Sequence, residues 1–126
     1  MAAGAGGDPA RIGERVLVQP MYHPEGNPDL YALETFGSER GGGFARFTTI
    51  GSAKALAIDS PLSDVELASF PCAISTAEGM IQQASLGAER VLITGASGGV
   101  GSAAIQLARR RGAHVTAITS PAKMQA

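Results

Sequence analysis

The 126-residue sequence predicts a mixed α/β chain that is β-rich at first and ends in a β-α-β unit, and three observations carry this. Short apolar and β-branched runs broken by proline and glycine fill the first half. From residue 63 onward the apolar period becomes that of helices. Residues 91–105 (VLITGASGGVGSAAI) then join a strand of buried type to a helix through a glycine-rich turn. A composition that is 44% hydrophobic and 17% charged suits a folded chain with a modest core.

In the first half, residues 15–19 (RVLVQ), 43–50 (GFARFTTI) and 53–58 read as strands. The connection over 20–42 holds three prolines and four glycines and reads as a loop. A loop that long inside a compact domain is functional or packs on something else. Ser63 and Glu66 have capping-box spacing, which predicts a helix start. Pro71 suits the first turn of a second helix, whose apolar stripe of Ile74, Ala77, Met80, Ile81 and Ala84 should stop near Gly87. A strand over 89–94 (ERVLIT), a helix over 100–111 closed by Gly112 and a strand over 114–119 (HVTAIT) complete the unit.

A strand that ends in a glycine-rich turn opening a helix leaves several backbone N–H groups unpaired at the positive end of the helix dipole, where a pyrophosphate fits. The frame Ala96-Ser97-Gly98-Gly99-Val100-Gly101 has alanine in place of the first glycine of G-x-G-x-x-G. The flanking strand, helix and second strand strengthen the signal, and a tight turn without ligand is the alternative. An acidic residue at the end of the second strand would bind ribose hydroxyls and favour NAD(H). Residues 118–123 (ITSPAK) contain none; the two hydroxyls of Thr119 and Ser120 and the ammonium of Lys123 suit the extra phosphate of NADP(H), unless Lys123 is a solvated charge.

A net charge of −1 and the lack of any long Lys/Arg run leave no basic surplus for nucleic acid or anionic lipid, so neither is an expected partner. No apolar stretch reaches about 18 residues and the start MAAGAGGDPAR lacks signal-peptide character, so a cytoplasmic protein is expected. The single cysteine, Cys72, excludes an internal disulfide framework and cannot alone form a structural zinc site. His23 and His114 have no partner at ligand spacing and read as solvated or structurally bonded. Glu78, helical and near Cys72, is the one weighed general acid, a solvated helix face being the alternative; the catalytic residues stay unknown.

The segments GERVLV (13–18), GGFARFTT (42–49), LSDVE (62–66) and CAISTA (72–77), with the glycine loop, occur in an order that resembles the medium-chain dehydrogenase/reductase superfamily, nearest its quinone oxidoreductase-like and alcohol dehydrogenase-like members. The resemblance implies that residues 1–60 are the C-terminal part of a GroES-like β-rich catalytic domain, 61–88 connecting helices, and 89–126 the start of a Rossmann-type parallel sheet that binds NADP(H). Residues 2–6 resemble the turn before the GERVLV segment, and the whole resembles a fragment, inactive alone because hydride transfer needs a closed two-domain cleft. A fragment with an exposed sheet edge would self-associate, so a homo-oligomer is expected, and a non-catalytic self-associating module is the competing reading.

Residue by residue, the resemblance carries Ala96, Ser97, Gly98, Gly99, Val100 and Gly101 to the pyrophosphate loop, Val100 also to where the family approaches the nicotinamide, Thr76 to the nicotinamide side, and Ser120 and Lys123 to the adenosine phosphate. A helical threonine can instead bond back to its own backbone. Cys72 falls where zinc-dependent members place a catalytic ligand, but further ligands would have to come from elsewhere, and a buried free cysteine is usually a small hydrophobe. Residues 20–42 lack the four cysteines of a structural zinc lobe, so no metal site is expected. The substrate implied is a carbonyl, a quinone or an activated alkene, reduced by a hydride that the cofactor carries.

Overall fold

A computed structural model describes residues 3–29 and 31–124, and they form two compact units, 1–62 and 63–126. Ala2 and the last two residues, which the expected segments 2–6 and 89–126 include, lie outside the described residues.

In the first unit a 3-10 turn, Pro9–Arg11, is capped by Asp8, whose carboxylate accepts from Ala10 N at 2.9 Å. Strand β1 (Val16–Val18) pairs antiparallel with β4 (Ala55–Ala57), Leu17 opposite Leu56, which meets two of the three expected strands. The third does not form. Residues 43–46 bend and 47–50 run without a ladder, leaving Phe44 and Phe47 exposed. Extended, β-branched residues become a strand only when another chain segment accepts their hydrogen bonds, and among the described residues none does here. The expected loop over 20–42 in turn contains a short antiparallel pair, β2 (Met21–Tyr22) and β3 (Glu34–Thr35).

Guanidinium groups tie the first unit together more than burial does. Arg11 donates to the Ser52 carbonyl and hydroxyl at 3.0 and 2.8 Å and to the Ala55 carbonyl at 2.6 Å. Arg15 spans the Ser60 and Leu62 carbonyls at 2.9 and 2.6 Å. Each satisfies carbonyls that the short ladders leave over, with charge-assisted bonds. Arg40 and Lys54 also stand over the Tyr22 ring, 4.9 and 5.6 Å from its centroid.

The second unit holds the core. Helix α1 (Asp64–Ala68) opens with the expected capping box: the Ser63 hydroxyl accepts from Glu66 N, and Ser63 N donates to the Glu66 carboxylate at 2.8 Å. Pro71 does start the next helical segment, but Phe70–Ile74 is a π-helical turn that runs directly into α2 (Ser75–Gln83). Strand β5 (Arg90–Thr94), helix α3 (Gly99–Arg110) and strand β6 (His114–Ile118) follow, β5 and β6 parallel with Val91 opposite Val115 and Ile93 opposite Ala117.

The buried residues between α2 and α3 are Ala77, Ile81, Ala103, Ala104, Ala108 and Ala113, with Val91, Ile93, Leu107 and Val115 packed on them. Alanine dominates because two helix backbones that pass close leave room for little beyond Cβ. The stripe expected on α2 is thus half right: Ala77 and Ile81 are buried, while Met80 and Ala84 are exposed. Strand β5 is covered on one face only; Leu92 is 58% exposed because α3 packs on the other side.

Both helix ends use left-handed residues. Ser85 (φ 49°) turns the chain after α2 so that Leu86 N reaches the Ile81 carbonyl at 3.1 Å, and the helix ends at Gln83, four residues before Gly87. Gly112 (φ 86°) does the same after α3, with Ala113 N donating to the Ala108 carbonyl at 3.1 Å.

Truncating Ile81 to alanine should destabilise the second unit by about 2–4 kcal/mol, through lost transfer energy and a residual cavity. Met80→Ala should change it by less than about 0.5 kcal/mol. Urea unfolding of both variants measures the contrast, and equal losses would contradict the packing.

Candidate functional site

The site begins where β5 ends. Gly95 takes a left-handed conformation (φ 62°), and its carbonyl accepts from Gly98 N at 2.9 Å, so the chain reverses within four residues. Ala96 N donates to the Ile118 carbonyl at 3.0 Å, which extends the β5–β6 ladder past the strand end. The alanine that replaces the first glycine of the pattern is therefore structural. Its methyl is buried, and the unusual backbone angle falls one residue earlier, at Gly95.

Helix α3 then starts with Gly98 as a side-chain-less N-cap, and Ser102 N is the first amide taken by the helix, by the Gly98 carbonyl at 2.8 Å. The amides of Gly99, Val100 and Gly101 have no partner among the described residues and lie at the positive end of a 12-residue helix. Val100 contributes only this amide, since its side chain packs on the core. A Cβ on Gly101 would lie 2.3 Å from the Gly95 oxygen and 2.9 Å from Ala96 Cα, so only glycine allows the helix to start this close to the strand exit. A Cβ on Gly99 would lie 3.4 Å from the Ala73 methyl, so the π turn sits against the start of α3. Unpaired amides at the start of a helix suit an anion.

The remaining predicted residues fall around this turn. Ser97 is exposed, and its hydroxyl accepts a hydrogen bond from Thr119 Oγ1 at 2.8 Å, which joins the loop to the end of β6. Ser120 precedes the 3-10 turn Pro121–Lys123, and the Lys123 ammonium is exposed, with no ion pair among the described residues. Thr76 is exposed in the first turn of α2, and its hydroxyl has no hydrogen bond among the described residues. The back-bonding weighed for it belongs to its neighbour: Ser75 Oγ donates to the Pro71 carbonyl at 2.6 Å.

Cys72 lies on the π turn and is exposed, which removes the reading of a buried small hydrophobe. Among the described residues no group of three or more His, Cys, Asp or Glu could hold a metal ion. His23 Nε2 shares a 2.8 Å hydrogen bond with the Asp29 carbonyl, and the His114 side chain is exposed. Glu78 is not a purely solvated group. It forms an ion pair with Arg111 and accepts from Gln82 Nε2 at 2.8 Å; these bonds, Arg111 foremost, hold its carboxyl below the ordinary glutamate range.

Sequence reasoning passed over Gly95 and gave Thr119 no partner. The Thr-Gly step at a strand end was the available signal for the first. For the second there was none, because the pairing with Ser97 spans 22 residues.

No family model matches the chain. A polyketide synthase of Streptomyces halstedii, GfsB, is 34% identical over 125 residues, which are 98% of this chain and 2% of the synthase. Among solved structures, an alcohol dehydrogenase from Sinorhizobium meliloti 1021 superposes with a TM-score of 0.82 at 45% identity, covering 95% of this chain and 34% of that one. The CurK enoyl reductase gives 0.52 at 39% identity over 57% of this chain and 22% of its own. The quinone oxidoreductase of Thermus thermophilus, solved also with NADPH, gives 0.57 at 31% identity over 68% and 30%. The chain thus spans about a third of the alcohol dehydrogenase and a small fraction of the synthase. It belongs to the medium-chain dehydrogenase/reductase family, as the resemblance implied.

Two outcomes test this geometry. Gly101→Ala should lower the thermal midpoint of the second unit sharply, by an overpacking penalty on the order of 2 kcal/mol, whereas Gly98→Ala should be milder because its Cβ would meet only the Gly95 oxygen, at 3.3 Å. The Glu78 contribution to stability is present above the carboxyl's unfolded pKa and is lost as pH falls through its lower folded pKa. Unfolding curves of wild type and Glu78→Gln should therefore differ at neutral pH and converge in acid; a constant gap would contradict the ion pair.

Proposed function

We propose that the chain is part of an oxidoreductase that transfers hydride between NADP(H) and a carbonyl, quinone or activated alkene. In this reading residues 1–60 are the C-terminal part of a GroES-like catalytic domain, 61–88 connecting helices and 89–126 the start of a Rossmann-type NADP-binding domain. The carrying observation is the set of three unpaired amides at the α3 N-terminus, held open by the forced contact of Gly101 with Gly95. Backbone donors at a helix start bind a diphosphate without needing a cationic side chain. Around that centre Ala96 to Gly101 cradle the pyrophosphate, Thr76 faces the nicotinamide side, and Ser120 and Lys123 take the phosphate on the adenosine ribose. When bound, the nicotinamide supplies the hydride, and the protein's part is to hold it against the substrate and keep water away.

The likeness to an enoyl reductase and to a polyketide synthase favours an activated alkene among the three acceptors, a thioester-conjugated double bond above all. The absence of a carboxylate from 118–123 supports NADP(H) over NAD(H). The reaction so read needs no zinc, since hydride addition to a conjugated alkene is completed by a proton. A soluble cytoplasmic homo-oligomer accords with this reading, and no helix among the described residues is long and apolar enough to cross a membrane.

Titration of the 126-residue chain with NADPH should raise its unfolding midpoint with a Kd below millimolar, and Lys123→Glu should weaken NADPH far more than NADH. No binding by the wild type overturns the cofactor reading; equal losses for the two nucleotides overturn only the role of Lys123.

A further inference from the structure

The hydroxyl pair at the mouth of the β5–β6 sheet has a use that the loop alone does not supply. Thr119 is the first residue after β6, Ser97 the second after the β5 exit glycine, and their oxygens are 2.8 Å apart. The bond lies beside the backbone bond from Ala96 N to the Ile118 carbonyl, so the turn and the strand end are fastened by two adjacent links. Both side chains are polar and the Ser97 side is exposed, so burial does not require the pair.

A serine hydroxyl has one proton and two lone pairs. With Thr119 donating to Ser97, the Ser97 oxygen is used as acceptor and its own proton is directed elsewhere, toward solvent or ligand. A hydrogen bond received at the oxygen also strengthens the one it gives. The end of the second strand of a β-α-β nucleotide site is where the adenosine ribose is read. A carboxylate there would accept from ribose hydroxyls; a threonine bonded to a serine presents a donor instead, and a donor is what a phosphomonoester requires.

We infer that Thr119 is a positioning residue that orients the Ser97 hydroxyl as a donor to the 2′-phosphate of NADP(H), and so contributes to the choice between NADP(H) and NAD(H). This rests on the dinucleotide reading proposed above. It differs from a direct contact of the Thr119 hydroxyl with the extra phosphate: Thr119 acts through Ser97, with no contact between Thr119 and the nucleotide needed.

The test measures NADPH and NADH dissociation constants for the full 126-residue chain and its variants by calorimetry. Thr119→Val, which keeps shape and removes the hydroxyl, should raise the NADPH Kd about five- to tenfold and the NADH Kd less than about twofold, the size of one oriented hydrogen bond to a charged group. Thr119→Ser should restore NADPH binding to near the wild-type value. In a Ser97→Ala background the valine substitution should add nothing, since the group it orients is gone. The inference is overturned if Thr119→Val leaves NADPH within about twofold of wild type or weakens both nucleotides alike, whereas wild type still prefers NADPH. A wild type that binds neither nucleotide overturns it together with the dinucleotide reading. A serine variant no better than valine, in chains that unfold at the wild-type temperature, also overturns it.

Discussion

The crossing of α3 over the exit of β5 is set by one contact that no side chain could enter: Gly101 stands where a Cβ would lie 2.3 Å from the Gly95 carbonyl oxygen. Everything on the ligand side follows from that separation. Because the helix begins in contact with the turn, its first free amides lie just above the ends of two parallel strands, where they converge on one volume. A longer, looser turn would disperse them. The same contact sets how α3 lies on the sheet, and the alanines at 103, 104 and 108 fill a gap too thin for larger residues. Site and core therefore depend on one separation, and a change that lifts the helix start would open the core as well.

The two ends of α3 are held by different physics. At the N-terminus the fastening is steric and made by small groups, Gly101 on Gly95 and Gly99 near Ala73 of the π turn. At the C-terminus it is polar: Gly112 reverses the chain, Ala113 N closes on the Ala108 carbonyl, and the Arg111 guanidinium reaches Glu78 on α2. This division places the ion pair at the end of α3 away from the unpaired amides, which sit at the positive end of the peptide dipoles. Had the ion pair sat at the other end, Glu78 would oppose any anion and Arg111 would compete for it.

How far the sequence could be read depended on the range of the interactions. The capping box of Ser63 and Glu66, the start at Pro71, the glycine turn and the closing Gly112 are fixed by residues within a few positions of one another, and all were legible. So was the parallel β5–β6 pair, because a helix between two apolar runs has few other ways to pack. Residues 43–50 have the composition of a strand but no partner in register, and composition does not state a partner. Met80 matched the stripe on α2 yet faces away from α3, since the buried face is narrow and made of alanine. The pairs Glu78 with Arg111 and Ser97 with Thr119 join residues 33 and 22 positions apart, and only the fold brings them together.

A division of labour within the proposed site follows from what backbone and side chains can each distinguish. Amide donors at a helix start respond to negative charge and shape, and the diphosphate is common to both nicotinamide dinucleotides, so in the proposed site the backbone amides of Gly99, Val100 and Gly101 would supply affinity without selecting between them. Selection has to come from groups near the one point where the two cofactors differ, the ribose 2′ position. Around the end of β6 those groups are hydroxyls and a solvent-exposed ammonium, with no carboxylate to repel a phosphate. An ammonium on a flexible stem attracts charge but does not direct it, whereas a hydroxyl held by a second hydroxyl has a defined direction. In the proposed site the hydroxyl bridge and the cation would therefore be complementary, one orienting the phosphomonoester and the other neutralising it.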